Sequence, residues 1–305
     1  MKFPFLQLLR FKVSKKNQPA PDHTVHPYWS IGVYTGKTPD TLSPPPDAIN
    51  PVLTAQDVTD VPANFVADPF MLFEENCWYM FFEVETTLDK GPVGKIGLAT
   101  STDGLRWKYN KIVLEEPFHL SYPYVFKWEN DFYLIPETRS VREVRLYRAT
   151  DFPWKWQNTG LLLKGRRFAD SSLFRFHDLW WMFSDAGNNT LRLYYSHDLT
   201  AGWREHRQSP ILKRNPMYAR PGGRVIVTDN TVIRFAQDCQ TSYGKQVFAF
   251  TVTELTPKIY RETLTAEPAL TPGAFRWNRF GMHTVDPHQL ADGTWIACVD
   301  GLGER

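Results

Sequence analysis

The sequence has few cysteines, no long apolar run and no excess of charge of one sign. Its three cysteines, Cys77, Cys239 and Cys298, lie far apart without CxxC spacing, which argues against a disulfide framework or a structural zinc site. No apolar stretch approaches the ~20 residues of a transmembrane helix. The 35 Lys and Arg residues nearly balance 33 Asp and Glu, so no nucleic-acid partner is predicted. These absences predict a globular, cytoplasmic protein with free thiols.

Familiar catalytic motifs and helical periodicity are also missing. The sequence contains no GxSxG, Walker or GxGxxG motif, which leaves serine-hydrolase and nucleotide-binding chemistry without support. Its 23 prolines and 18 glycines, with no sustained apolar spacing of the helical kind, argue against a helical fold. Residues 1–25 are basic and apolar but lack a small-residue cleavage site, so they are predicted to form a flexible tail.

Aromatic residues and an internal repeat are what the sequence does have. Phe, Tyr and Trp make up 15% of the chain, and such residues favour strands and also line sugar sites. A polar lead, a β-like run, a turn and an aromatic run recur at 66–83, 121–137 and 169–185, with weaker copies at 219–237 and 285–300. Successive leads lie 54, 48, 50 and 66 residues apart. Spacing near 40–50 residues is typical of four-stranded propeller blades.

The repeat therefore predicts an all-β, five-bladed β-propeller forming a single domain over residues 26–305. The predicted blades are 66–116, 120–164, 168–213, 218–270, and a composite of 283–301 with 28–54. The fifth copy lacks its second half, and the N-terminal strands match the missing part. We expect residues 29–36 to pair with 294–300, because this closes the ring and removes a free sheet edge.

A propeller brings the start of the first strand and the end of the second strand of each blade to the same mouth of the central channel. Two rings of residues are therefore expected to converge there. They are Asp68, Tyr122, Asp170, Arg220 and Asp286, and Glu83, Glu137, Asp185, Gln237 and Asp300. Crowded carboxyl groups suit glycoside cleavage, which requires two of them roughly 5–9.5 Å apart. The alternative is that Asp-Pro simply forms a strand-entry turn.

Asp68 is the first candidate for a catalytic base or nucleophile, because it opens the sharpest repeat. Asp170 or Glu137 is the candidate acid, although Glu137 could instead form an ion pair with Arg139 or Arg142. The candidate substrate-binding residues are Glu83, Tyr122, Arg220, His283 and Asp286.

Two of these candidates have alternatives of their own. Arg220 could bind a sugar carboxylate or phosphate through its planar fork, or pair with a channel acid. His283 could ligate an ion in the channel or hydrogen-bond a carboxylate. The HxxDxH spacing around Asp286 lacks the helical context of a metal motif, so no metal or other cofactor is predicted.

Four stretches resemble a known family: NPVLTAQDVTDVPANFVADPFM (50–71), YPYVF (122–126), LIPET (134–138) and ADSSLF (169–174). They are similar to the N-terminal domain of plant glucosamine inositolphosphorylceramide transferase and its bacterial relatives, over residues 27–301. More distantly, the VADPF lead, the blade order and the closing strands resemble the five-bladed propellers of glycoside hydrolase family 43 and the β-fructosidases. Both resemblances imply a carbohydrate or glycolipid head group as ligand.

The hydrolase resemblance implies that Asp68 is the general base. Those families carry a second acid at the lead of blade two, where this chain has Tyr122, and a glutamate at the lead of blade three, where it has Asp170. In the plant protein sugar transfer belongs to a separate C-terminal domain, so transferase activity is not expected of this propeller.

Three functions remain open at this point. The first is a glycoside hydrolase-like enzyme, and the second is a non-catalytic sugar-recognition module in surface-glycan or glycolipid biosynthesis. The third is a protein-interaction scaffold, for which the sequence names no partner.

Overall fold

The computed structural model describes residues 27–88, 91–228 and 231–304, so the predicted tail at 1–25 lies outside the described residues. The described chain is all-β and consists of five antiparallel sheets, which confirms the five-bladed β-propeller. Within the same residues, no helix is long and apolar enough to cross a membrane.

The first three blades each contain four strands in chain order. Blade 1 consists of β3 (Ala63–Glu74), β4 (Cys77–Leu88), β5 (Gly91–Ser101) and β6 (Lys108–Leu114). Blade 2 consists of β7 (Ser121–Trp128), β8 (Asp131–Glu137), β9 (Glu143–Asp151) and β10 (Lys155–Lys164). Blade 3 consists of β11 (Ala169–Phe176), β12 (Leu179–Asp185), β13 (Leu191–Ser196) and β14 (Arg204–Glu205).

The last two blades depart from this plan. In blade 4 the innermost strand is split into β15 (Arg220–Pro221) and β16 (Ile226–Val227), followed by β17 (Val232–Gln237), β18 (Val247–Leu255) and β19 (Tyr260–Leu264). Blade 5 has the order β20 (Val285–Gln289), β21 (Trp295–Gly303), β1 (Tyr28–Thr38) and β2 (Thr41–Ser43). Short 3-10 turns occupy Ala55–Asp57, Arg139–Val141 and Arg276–Asn278.

The N-terminal strands close the ring, as predicted. Strand β1 pairs antiparallel with β21 from Trp29 opposite Leu302 to Gly36 opposite Trp295. Residues near both ends of the described chain thus share one sheet, and β1 and β2 complete the fifth blade to four strands.

Apolar side chains pack between neighbouring blades. Four clusters of buried side chains fill these interfaces, one of them shared by blades 1, 2 and 3. Trp78, Trp180 and Trp181 belong to these clusters and are buried. They therefore form part of the blade core, and all three lie in the second strands of their blades.

The first strands of blades 1, 2 and 3 share a distortion at the lead position. Asp68, Tyr122 and Asp170 have φ angles of 52°, 45° and 50°, in the left-handed region that non-glycine residues rarely adopt. Strand pairing is irregular at each of these points, as in a β-bulge. Bulges redirect side chains, and all three side chains here reach residues of the neighbouring blade.

Candidate functional site

Six carboxylates and two cationic side chains gather at one end of the channel, which we call the acidic mouth. They are Asp68, Glu83, Glu137, Asp170, Asp185 and Asp300, with Arg220 and His283. The side chains come from all five blades, because each blade delivers the start of its first strand or the end of its second. The repeat therefore brings together most of the predicted site residues.

Asp68 is buried where blades 1 and 5 meet. Its Oδ1 accepts a hydrogen bond from the Thr284 hydroxyl at 2.6 Å and lies 3.8 Å from Nε2 of His283. Burial raises the pKa of Asp68 to about 7; the His283 charge opposes this rise, and nearby carboxylates, Asp170 foremost, add to it. Asp68 can therefore exchange a proton near neutral pH.

Glu137 and Asp170 share one cation at the boundary of blades 2 to 4. Arg220 donates from Nε to Asp170, and its Nη2 lies 3.5 Å from Oε2 of Glu137. Gln237 donates a further hydrogen bond to Asp170 at 2.7 Å. Burial and the adjacent Asp170 charge raise the pKa of Glu137 to about 8, against the opposing effect of Arg220. Oε2 of Glu137 and Oδ1 of Asp170 are buried without a hydrogen-bond partner.

His283 and Asp300 form a buried ion pair on the opposite side of the mouth. Nδ1 of His283 lies 2.6 Å from Oδ2 of Asp300, whose Oδ1 accepts the backbone N–H groups of His283 and Thr284 at 2.9 Å. Burial lowers the pKa of His283, but the charges of Asp300 and Asp68 outweigh this effect and raise the pKa to about 9. The imidazole is therefore a cation at neutral pH.

Asp68, His283 and Asp300 also form the group best arranged to hold a metal ion. Each offers one ligand atom, and these atoms lie within 4.8 Å of one another. A metal ion bound there would have to displace the proton that His283 shares with Asp300, because a ligating imidazole must be deprotonated.

Glu83 lies at the rim of the acidic mouth, in contact with a histidine from the blade 1–2 connection. Nε2 of His119 is 3.2 Å from Oε1 of Glu83, and Nδ1 of the same ring accepts the Gly94 N–H at 2.9 Å. His119 was not among the predicted site residues, because it lies in a linker outside the repeated strands.

Two aromatic rings that sequence reasoning missed form a wall beside the mouth. Trp29 stacks on His283 with ring centroids 4.0 Å apart, and Tyr243 lies over the Arg220 guanidinium at 5.1 Å. Tyr243 is 47% exposed, so its ring is accessible to a ligand. Gly244, at φ 65°, lets this loop approach, since a Cβ there would lie 2.8 Å from the Cβ of His283. For Tyr243, the sequence did contain a signal: an aromatic residue soon after the end of β17, the second strand of blade 4.

Tyr122, a predicted substrate-binding residue, is fully buried within the channel. Its hydroxyl contacts Ser172 at 2.8 Å, donates to the Gly223 carbonyl and accepts the Gly223 N–H. Gly223 is required there because a Cβ would lie 1.8 Å from the Val285 carbonyl oxygen. All hydrogen-bonding positions of this hydroxyl are thus used by protein atoms, which makes Tyr122 a brace across the channel.

Asp286, like Tyr122, does not belong to the acidic mouth. It is fully buried in a separate network, where it accepts hydrogen bonds from Arg224 Nε and from the Met71 N–H at 2.6 Å, and lies 2.8 Å from His288 Nε2. Although burial raises its pKa, the charges of Arg224 and His288 outweigh this effect and hold the pKa below the usual value.

The sequence contained a signal for this difference. The two ring positions are 15 residues apart in blades 1 to 3 but 14 apart in blade 5. Val285 pairs with Val299, so the position beside Asp300 at the mouth is taken by Thr284 and not by Asp286. Alternate residues of a strand face opposite sides, so an offset of one residue redirects the side chain.

With this geometry established, comparison with known proteins decides the family. The model of the glucosamine inositolphosphorylceramide transferase 1 N-terminal family matches residues 22–302. The chain belongs to this family. A relative, the glucosamine inositolphosphorylceramide transferase 1 of Oryza sativa subsp. japonica, is 38% identical over 299 residues, which cover 90% of this chain and 40% of that protein. This member of the family thus spans about two fifths of the length of the curated relative.

Solved structures share the fold at much lower sequence identity. The β-1,2-mannobiose phosphorylase of Listeria innocua has a TM-score of 0.64 at 14% identity, covering 88% of this chain and 96% of that chain. The catalytic domain of the GH62 α-L-arabinofuranosidase of Coprinopsis cinerea has a TM-score of 0.59 at 13% identity, with coverage of 91% and 96%. These likenesses establish a shared architecture with carbohydrate-processing propellers.

Proposed function

We propose that this propeller recognises a carbohydrate at the acidic mouth. The observation that carries the proposal is the grouping of Asp68, Glu83, Glu137 and Asp170 beside the exposed ring of Tyr243. Carboxylate oxygens accept hydrogen bonds from sugar hydroxyl groups, and an aromatic ring packs on the apolar face of a pyranose. The names of the relatives make glucosamine and inositol phosphate suitable first ligands to test.

The cationic partners of the carboxylates favour recognition over cleavage. Asp170 is held by Arg220, Asp300 by His283, and Glu83 contacts His119. Such pairs fix the direction of the acceptor oxygens before the ligand arrives, which lowers the cost of binding. A site of this kind discriminates sugars by the position of their hydroxyl groups.

The test is calorimetric titration of the protein with a panel of monosaccharides, inositol and their phosphates. In the variants Asp68→Asn and Tyr243→Ala, we expect the dissociation constant of the bound sugar to rise about tenfold, the effect of one lost strong contact. Asp178→Asn and Phe73→Ala are matched controls, because both residues are exposed: Phe73 lies near the far end of β3, and Asp178 lies in the turn after β11. Absence of binding across the panel, or equal losses in the controls, would overturn the proposal.

Glycoside cleavage is a second candidate, favoured by the protonation of Asp68 and Glu137. The pKa values of these carboxyls rise to about 7 and about 8, and Oε2 of Glu137 has no hydrogen-bond partner among the described residues, with Nη2 of Arg220 3.5 Å away. Near pH 7.5 Asp68 can be the ionised base while Glu137 is the protonated acid, which is the division of roles that glycosidases need.

The pH profile of turnover distinguishes this candidate. Hydrolysis of aryl glycosides should rise as Asp68 ionises through about pH 7 and fall as Glu137 loses its proton through about pH 8. Asp68→Asn should abolish it, whereas Asp178→Asn should not. A protein that binds sugars but shows no turnover at any pH is a recognition module.

A further inference from the structure

An arginine-lined groove lies on the rim beside the acidic mouth, between blades 2 and 3. Its volume is about 510 Å³. We define the arginine groove by the four side chains that dominate its lining: Arg139, Arg142, Arg166 and Arg167. The proposed sugar site does not include these four arginines, because it consists of the carboxylates and aromatic rings of the mouth.

The positive charge of the arginine groove is poorly compensated. Among the described residues, the one carboxylate within 4 Å of these four guanidinium groups is Glu205, at 3.8 Å from Arg166. Glu205 is already shared with Arg192. Like charges confined to one groove repel each other, and an anion bound among them relieves that repulsion.

Two backbone segments that are hydrogen-bonded to each other position the four side chains of the arginine groove. Arg139 and Arg142 bracket the 3-10 turn that follows β8, and Arg142 ends it at φ 60°. Arg166 and Arg167 lie in the connection between β10 and β11. The Gly165 N–H donates to the Arg142 carbonyl at 2.8 Å, which fixes the two segments to each other.

The arginine groove adjoins the acidic mouth directly. Glu137 precedes Arg139 by two residues, and the Arg139 charge lowers the pKa of Glu137 against the larger effect of burial. Oε2 of Glu137 also lies 3.5 Å from Nη2 of Arg220, so the charges of both the acidic mouth and the arginine groove act on this one carboxyl group. A ligand could therefore contact both features at once.

We propose that the arginine groove binds a phosphate group carried by the sugar that occupies the acidic mouth. Guanidinium groups match phosphate because their planar N–H forks donate two parallel hydrogen bonds to its oxygens. Carboxylates at the mouth repel a phosphate, so the anionic group is directed to the rim and the hydroxyl groups to the mouth. The ligand class is a phosphorylated sugar or cyclitol, and this part of the proposal rests on the proposed function.

The first measurement uses inorganic phosphate alone, titrated into the full chain in phosphate-free buffer at constant ionic strength. The double variants Arg139→Gln with Arg142→Gln, and Arg166→Gln with Arg167→Gln, should each weaken phosphate binding about tenfold or more, because charge-assisted hydrogen bonds are lost. The control Lys108→Gln with Lys258→Gln removes the same net charge at exposed sites in β6 and the β18–β19 turn. Equal phosphate binding in all variants would overturn the proposal.

The second measurement separates the arginine groove from the sugar site. A sugar phosphate should bind more tightly than the sugar or inorganic phosphate alone, and the groove variants should remove this gain while leaving the affinity for the unphosphorylated sugar unchanged. If Asp68→Asn changes no affinity but the groove variants weaken phosphate binding, the proposed function fails and the anion site stands. If sugar binding depends on Asp68 but phosphate adds nothing, the anion site fails.

The third measurement distinguishes two sources of the same phosphate group. Phosphatidylcholine vesicles with and without phosphatidylinositol are sedimented with the protein. Retention that requires phosphatidylinositol and is lost in the groove variants identifies a lipid head group as the source. Binding of soluble sugar phosphates without vesicle retention identifies a free ligand, and either result supports the anion site. Retention on phosphatidylinositol vesicles that the groove variants do not weaken counts against it.

Discussion

Asp68 and Asp286 hold the same place in the sequence repeat, and each is followed by proline, yet their surroundings are opposite. Asp68 lies among carboxylates and has a pKa raised to about 7 by burial and neighbouring negative charge. Asp286 is enclosed by Arg224 and His288, which keep its pKa low in spite of burial. A sequence repeat therefore predicts where in the fold a residue lies, whereas the contacts between blades determine its charged neighbours and its pKa.

Breaking the Asp286 network should give the largest effect. Asp286→Asn leaves Arg224 as a buried charge without its carboxylate, so we expect the free energy of unfolding to fall by about 3–5 kcal/mol. Chemical denaturation measures the change, with Asp178→Asn as the exposed control. A loss no larger than that of the control would mean that the Asp286–Arg224 pair does not hold the channel together.

Tyr122→Phe tests whether the second lead residue is a brace or a ligand contact. Removing the hydroxyl leaves the Gly223 N–H without its partner, although the Ser172 hydroxyl still donates to the Gly223 carbonyl, and this should cost about 1–3 kcal/mol of stability. Sugar affinity should not change. Weaker sugar binding at unchanged stability would instead show that Tyr122 contacts the sugar.

The pH dependence of stability should differ in sign between the two aspartates. Asp68 and Glu137 have folded-state pKa values above their unfolded values, so their contribution is complete below about pH 4 and is lost as pH rises through 7 and 8. Each proton bound only in the folded state contributes a slope of about 1.4 kcal/mol per pH unit. His283, with a pKa of about 9, acts in the same direction above pH 6.5.

Asp286 acts in the opposite direction, because its lowered pKa makes its contribution disappear as the solution becomes acidic. Denaturation across about pH 2 to 9 tests both signs, because the Asp286 contribution is lost only below the unfolded-state pKa of about 4. Asp68→Asn combined with Glu137→Gln should flatten the slope between about pH 5 and 7. If the double variant shows the same slope, the pH dependence of stability comes from other groups.

The smallest effect on stability is expected from Asp68→Asn. Asparagine keeps the acceptor for the Thr284 hydroxyl and removes a charge from a crowded site, so the melting temperature should be unchanged or slightly raised. A stability loss on the order of 1–3 kcal/mol with unchanged ligand binding would make Asp68 a structural turn residue.

The constant spacing of 15 residues between ring positions made the convergence of Asp68, Asp170, Glu83 and Glu137 predictable. The partners of these carboxylates were not predictable in the same way. Trp29, Tyr243 and His119 lie in a closing strand, a loop and a linker, where the repeat has no fixed position. The arginine groove likewise comes from two connections between repeated strands, so no periodic pattern marked it.

The number of blades, the order of strands and the closure by β1 follow from the sequence alone, because period and alternation are local properties of the chain. Which carboxylates are paired with a cation depends instead on contacts between blades. The Asp68 N–H is bonded to Asp300, 232 residues away. In blade 5, an offset of one residue turned Asp286 away from the mouth towards Arg224. Contacts between distant segments depend on how the blades pack around the channel, and charge balance at the mouth follows from that packing.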